Sequence, residues 1–332
     1  MTSNPPAPPP PSPVFYLTPG EAVTCILFRS NTLVVGTAEG NILFYSAKDW
    51  RKIGGIPAFT QGGLLWLDII NNCVDGSDDK QTTLVCQGRF DGVKLFRPVN
   101  SSSWSEWKEV ASFAIPHSGF CGGFVKLFDK DIVTVVASDQ SKLVVAKLVD
   151  TFIRPVVSMV REEGGTVMCV KEWDKGMVVA GYESGEVLVW DWSNNSVVLV
   201  VSLVKHVGTI MSMDWDREKH LGVLVGAEDR VVVMNKELEV VKEREVINKG
   251  LGEVKIRPDS KLVVCGGWDG RLRIFSWVKP EKLKPLAVLK FHAETVEAVS
   301  FSDVEVEGGR LHGRKVIAAG GKDGKISLWD IY

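Results

Sequence analysis

Short stretches in which apolar and polar residues alternate recur along the whole chain, and each runs through a turn of Gly, Asp, Glu or Ser. Seven copies read GTAEGNILFY (36–45), GRFDGVKLF (88–96), ASDQSKLVVA (137–146), GYESGEVLVWD (181–191), GAEDRVVVM (226–234), GWDGRLRIF (267–275) and GKDGKISLWD (321–330). A period of two sends successive side chains to opposite faces of a strand, and the turn residues suit a reversing backbone. Each copy therefore predicts a β-hairpin. Counted between Gly40, Gly92, Ser141, Gly185, Arg230, Gly270 and Gly324, the copies lie 52, 49, 44, 45, 40 and 54 residues apart. A period of roughly 40–45 residues with insertions is the spacing of a four-stranded propeller blade.

Trp190-Asp191 and Trp329-Asp330 close two copies, and Phe44, Phe96 and Phe275 fill the aromatic slot in three others. On these residues the chain resembles the WD-repeat family, and the resemblance implies an all-β fold: a seven-bladed WD-repeat β-propeller closed by an N-terminal strand. Ala146 and Met234 stand in the aromatic slot of the third and fifth copies, so those blades are the least marked. The sequence stops two residues after Asp330, leaving the seventh blade one strand short. Residues 14–17 (VFYL) are free to supply that strand and to cover an open sheet edge. The reading divides the chain into a proline-rich disordered leader, 1–13, and a single propeller, 14–332.

Composition narrows the class. Repeats that pack only on their neighbours let 332 residues form one domain without one continuous core. A formal net charge of −2 offers no basic footprint for direct nucleic-acid binding. The longest apolar run, 197–204, suits a buried strand and is too short to cross a bilayer. The leader lacks the basic region and apolar core of a secretory signal, which predicts the nucleus and cytoplasm as the location. It reads either as a solvated tail or as a polyproline segment for an aromatic groove. Six cysteines, Cys25, Cys73, Cys86, Cys121, Cys169 and Cys265, show no CxxC spacing and read as small apolar side chains in a reducing compartment. Two irregular stretches, 71–82 and 304–314, read as loop insertions or rim contacts for a partner.

Reactive chemistry is not suggested. The string Gly320-Gly321-Lys322-Asp323-Gly324-Lys325 imitates a phosphate loop, but Ile326 occupies the metal-binding position and a strand follows where a helix is required. No GxSxG elbow, HExxH site or paired-cysteine site occurs. The reading is of a chain that is not an enzyme, with no catalytic residues, no cofactor and no metal. His206 and His292 precede the strands at 210–215 and 296–301, where WD repeats place a histidine bonded to a turn Asp such as Asp269 or Asp323. The resemblance assigns His206, His292, Asp269, Asp323, Trp190 and Trp329 to a structural repeat network. The Ser or Thr that the family carries on the second strand is missing from IAAGG (317–321), which predicts an incomplete network in the last blade.

The residue before the turn acid sits, in this family, on a face of the disc near the central channel. By that register the positions are Ala38, Phe90, Gln140, Glu183, Glu228, Trp268 and Lys322. Phe90, Glu183, Trp268 and Lys322 are the candidate partner-binding residues, because an aromatic ring on a tight turn is hard for its own hairpin to bury. The stretches 250–277, 284–301 and 318–332, with AGYESGEVLVWD (180–191), further resemble the G-protein β-subunit-like protein 1 family, called ASTRA-associated protein 1 in fungi. That resemblance implies a scaffold or adaptor in the ASTRA complex, a chromatin regulator working with the TTT co-chaperone. Its partners would be TTT components and phosphatidylinositol-3-kinase-related kinases, with the chain a monomeric subunit of a larger complex. Two alternatives stand beside it. A G-protein β-like signalling subunit resembles its relatives in carrying a long N-terminal helix, which a proline-rich start cannot form. A cullin ubiquitin ligase receptor carries Arg or Lys two residues after a Trp-Asp, where Ser193 stands here.

Overall fold

The computed structural model describes residues 11–331 apart from 30, 74–79, 101–102, 129–130, 139–141, 150–151, 162, 164, 195, 203 and 309–310. Most of the leader, Tyr332 and the turn residues Gln140 and Ser141 thus lie outside the described residues. Strand β1 is Phe15–Leu17, and six consecutive four-stranded antiparallel sheets follow. Blade one is β2 (Val23–Arg29), β3 (Thr32–Thr37), β4 (Asn41–Ser46) and β5 (Lys52–Pro57). Blade two is β6 (Leu64–Cys73), β7 (Lys80–Gly88), β8 (Gly92–Pro98) and β9 (Trp107–Phe113). Blade three is β10 (Phe124–Phe128), β11 (Asp131–Ser138), β12 (Lys142–Val149) and β13 (Phe152–Val160). Blade four is β14 (Val167–Asp174), β15 (Met177–Tyr182), β16 (Glu186–Asp191) and β17 (Ser196–Ser202). Blade five is β18 (Ile210–Asp216), β19 (Leu221–Gly226), β20 (Arg230–Asn235) and β21 (Val240–Glu245). Blade six is β22 (Leu251–Ile256), β23 (Leu262–Gly267), β24 (Arg271–Ser276) and β25 (Pro285–Lys290).

The seventh sheet joins β26 (Val296–Phe301), β27 (Val316–Gly321) and β28 (Ile326–Asp330) to β1, which pairs Phe15 with Leu328 and Leu17 with Ile326. First strands pack in a circle, β2 beside β6 and so on to β26, which returns to β2. The third and fifth copies form complete blades despite their missing aromatic residue.

Seven apolar clusters fill the seven spaces between neighbouring blades. One joins Val23, Leu33 and Val35 to Val316, Ala318 and Ile326, and another joins Val263 and Phe275 to Val223 and Val233. This distribution explains why the second strands β3, β23 and β27 are buried on both faces: each lies between two sheets. Turn glycines keep the hairpins tight. Gly270 adopts φ +73°, and a Cβ there would stand 2.3 Å from the His292 carbonyl oxygen, so no other residue fits without strain.

Three details differ from the sequence reading. One α-helical segment occurs among the described residues, the single turn α1 (Val204–Val207), which carries the chain from the rim of blade four to the centre of blade five. The stretch 71–82 lengthens a hairpin: Asn71 pairs with Thr82 and Cys73 with Lys80, with Thr82 Oγ1 donating to Asn71 Oδ1 at 3.0 Å. The stretch 304–314 folds inward, because Val306 and Leu311 are buried against blade one. Glu307 N also donates to Asn31 Oδ1 there at 3.0 Å.

Candidate functional site

A channel of about 860 Å³ runs through the centre, lined by the first strand of every blade. Its polar groups are largely matched. Lys255 Nζ meets Glu253 Oε1 at 3.1 Å, Ser212 Oγ donates to Glu253 Oε2 at 3.0 Å, and Ile256 N donates to Asp214 Oδ2 at 2.7 Å. Burial pushes the Lys255 ammonium down, but Glu253 and Asp214 outweigh it and hold its pKa above the ordinary lysine value. Lys171 moves down, first because the Lys255 ammonium is beside it and then because it is buried. Glu297 moves up, chiefly through desolvation, against the pull of Lys322. Among the described residues no group of three His, Cys, Asp or Glu side chains converges to hold a metal.

Aromatic side chains crowd one mouth of this channel. Phe90, Trp268 and Lys322 all line it, whereas Glu183 does not. Glu183 instead joins strand ends: its N donates to Thr166 O at 2.9 Å, and its carbonyl accepts from Thr209 Oγ1 at 3.2 Å. Trp268 is 44% exposed, and its ring lies over the backbone of Gly250 and Gly252. A Cβ on Gly250 would come 2.1 Å from Trp268 Cε3, so the absence of a side chain makes the shelf on which the ring rests. Packing and presentation are both satisfied: one face of the indole meets glycine and the other meets solvent.

Phe90 is 53% exposed with φ +76°, a conformation costly for an aromatic residue. The turns of blades two and six have the same length, but the acid sits one place later in blade two: Arg89 stands at the place of Trp268, Phe90 at that of Asp269 and Asp91 at that of Gly270. A repeated backbone bond fixes the register, in which the turn residue donates its N–H to a carbonyl just ahead of the first strand. Ala38, Arg89, Glu183, Ala227, Trp268 and Lys322 each make it, at 2.9–3.1 Å. The structural equivalents of Trp268 in blades two and five are therefore Arg89 and Ala227, not Phe90 and Glu228 as the turn acids suggested. Arg89 carries its guanidinium carbon 4.2 Å from the Phe120 ring centroid and 5.7 Å from that of Phe90. Phe120, 66% exposed, completes the aromatic rim, and nothing in the hairpin pattern marked it because it lies in the loop before β10.

The turn acids show how the hairpins are locked. In blade seven His292 Nδ1 lies 3.0 Å from Asp323 Oδ1 and His292 Nε2 lies 2.8 Å from Ser327 Oγ. Trp329 Nε1 donates to the same Ser327 Oγ at 2.8 Å. Asp323 only accepts, so His292 Nδ1–H donates to it, and with a neutral imidazole the order runs Trp329 N–H to Ser327, Ser327 O–H to His292 Nε2, His292 Nδ1–H to Asp323. The set is complete, which corrects the expected gap. Ser327 stands directly across from Ala319 on β27, so the hydroxyl reaches the same place from the neighbouring strand. Blade six uses an ion pair, with Arg273 donating twice to Asp269, at 3.0 and 2.8 Å, and Asn248 once, at 2.6 Å. Burial would raise the Asp269 pKa, but these donors outweigh it and hold the carboxyl down to about 2. In blade four Trp190 Nε1 donates to the buried Tyr182 hydroxyl at 3.2 Å. His206 does not reach a turn Asp. Its Nδ1 pairs with Glu243 at 2.7 Å, on the outer strand β21, where Arg230 also binds.

Comparison with known proteins follows the same geometry. Residues 249–276 and 283–330 match the family described as WD domain, G-beta repeat. The chain is a seven-bladed β-propeller that carries WD40 repeats over its last two blades. A mouse protein named guanine nucleotide-binding protein subunit beta-like protein 1 is 27% identical over 98% of each chain. ASTRA-associated protein 1 of Schizosaccharomyces japonicus is 31% identical over 52% of this propeller and 49% of its own length. That of Schizosaccharomyces pombe is 28% identical over 47% and 44%. The propeller therefore spans the mouse relative almost entirely and about half of each fission-yeast relative. The crystal structure of Saccharomyces cerevisiae Sqt1 superposes with a TM-score of 0.70 at 11% identity, covering 97% of this chain and 99% of that one, a likeness of fold alone.

Proposed function

We propose that this propeller is a non-catalytic adaptor whose aromatic channel mouth receives a protein partner. The observation that carries the reading is the convergence of three exposed rings, Phe90, Phe120 and Trp268, at one end of a channel with largely matched interior charges. Trp and Arg are enriched in binding hot spots, and Arg89 stacked on Phe120 adds a prearranged cation. Thiol chemistry finds no support at Cys25 and Cys169, which burial pushes up to about 12, far from the thiolate range.

Similarity to proteins named ASTRA-associated favours a co-chaperone-linked role. The partners would be TTT components and phosphatidylinositol-3-kinase-related kinases, in nucleus and cytoplasm, with this chain one subunit of the assembly. Affinity purification of wild type beside a Phe90→Ala/Trp268→Ala double variant tests it. Recovery of those components is expected to fall several-fold with little change in melting temperature. Undiminished recovery would remove the mouth from the interface. A large loss of stability would instead assign the rings to the core.

A further inference from the structure

A second concavity lies on the rim, away from the channel. Between β21 of blade five and β25 of blade six opens a groove of about 270 Å³, formed by Ile274, Phe275, Ala287, Val288, Arg244 and Ile247. That volume falls below the roughly 300–1,000 Å³ of sites for drug-sized ligands, so it suits one or two side chains of a bound segment. Ile247 at its edge is 91% exposed, so its side chain is free to meet a bound segment.

Arg244 gives the groove its chemistry. Its side chain crosses from blade five toward blade six, where Nη2 reaches the Lys282 carbonyl at 3.5 Å, the outer limit of a hydrogen bond. Its Nε–H is buried and has no acceptor. A buried donor on a charged group, left unmatched, is costly, and a carboxylate is the acceptor that recovers most. Of the other charged residues in the lining, Arg273 is paired with Asp269, which Arg271 also approaches at 3.6 Å, and Glu245 adds one further negative charge. The local excess is the positive charge of Arg244.

We propose that this groove binds an extended peptide segment of a partner protein, seating an apolar side chain against Phe275 and Ile247 and an adjacent Asp or Glu on Arg244. The surface is distinct from the channel mouth, so the proposal does not rest on the adaptor's partners named above. It is tested by panning short random phage-displayed peptides on the full chain. Synthetic copies of the selected peptides are then titrated by fluorescence anisotropy. The selected sequences are expected to place Asp or Glu within two residues of an apolar side chain. Arg244→Glu and Ile247→Asp should each weaken them about tenfold or more, as loss of one charge-assisted contact or one apolar anchor requires. Circular dichroism should show both variants folded. Failure to select peptides, selection without the acidic-apolar pattern, or unchanged binding to Arg244→Glu would overturn the proposal. Peptides lost by Trp268→Ala but kept by Arg244→Glu would do so too, by placing them at the channel mouth.

Discussion

Blades six and seven lock the same turn with different chemistry. Gly270 and Gly324 adopt nearly the same backbone, φ +73° and +70°, each preceded by an aspartate that caps it. At the fourth residue after that aspartate, blade seven has Ser327 and blade six has Arg273. The histidine that answers Asp323 is replaced, for Asp269, by Asn248. Blade seven thus runs a directed series of hydrogen bonds to its Trp, whereas blade six places a two-pronged guanidinium on its carboxylate and leaves Phe275 purely apolar. A propeller repeat conserves the turn that positions its neighbours and is free to exchange the groups that hold the turn. The exchange is not neutral energetically, because a buried ion pair that loses one partner leaves a charge behind.

The largest expected effect follows from that asymmetry. Asp269→Asn strands the buried Arg273 guanidinium and should cost about 3–5 kcal/mol in urea unfolding. Ser327→Ala removes the hydroxyl shared by His292 and Trp329, leaves both groups unmatched, and should cost about 1–3 kcal/mol. If Ser327→Ala proved as damaging as Asp269→Asn, the proposed distinction between the two locks would collapse.

Acid sharpens the comparison further. The folded carboxyls of Asp269, at about 2, and Asp323, also lowered, lie below the unfolded value of about 3.9. For Asp323 too, burial pushes upward and is outweighed, first by the His292 hydrogen bond. Their contribution is therefore full above pH 4 and is lost as pH falls toward 2. The urea midpoint of Asp269→Asn should fall less steeply between pH 4 and 2 than that of wild type. A smaller effect is local: Cys265 lies in blade six and its thiol is held up by burial. Pulsed alkylation at pH 8 should label Cys265 faster in Asp269→Asn than in wild type, with Cys25 in blade one less changed.

Much of this was legible in the chain. The alternating hairpins, the turn glycines and their spacing led to seven blades because local periodicity dictates which face of each strand is buried. The locks were only half legible. The family pattern places a Ser or Thr on β27, yet Ser327 serves from β28 because antiparallel neighbours share a face. Aligning copies by offset from the turn acid would have revealed both Ser327 and Arg273. The mouth was harder. The blade-two acid, Asp91, stands one place later than Asp269 does in a turn of equal length, so Arg89, not Phe90, takes the position of Trp268, as the backbone bond to Gly63 discloses. Phe120 and the groove at Arg244 arise from loops and strand edges brought together by the ring, which no short-range pattern encodes.

The central claim is that the aromatic mouth is the docking surface, and site-directed photocrosslinking tests it most directly. Benzoylphenylalanine placed at Phe90, and in a second protein at the exposed rim residue Val198, would be irradiated in cell extract and the adducts identified by mass spectrometry. Crosslinks from position 90 to TTT components or their kinase clients, with none from position 198, are the predicted result. The same partners captured from position 198 alone would contradict the account.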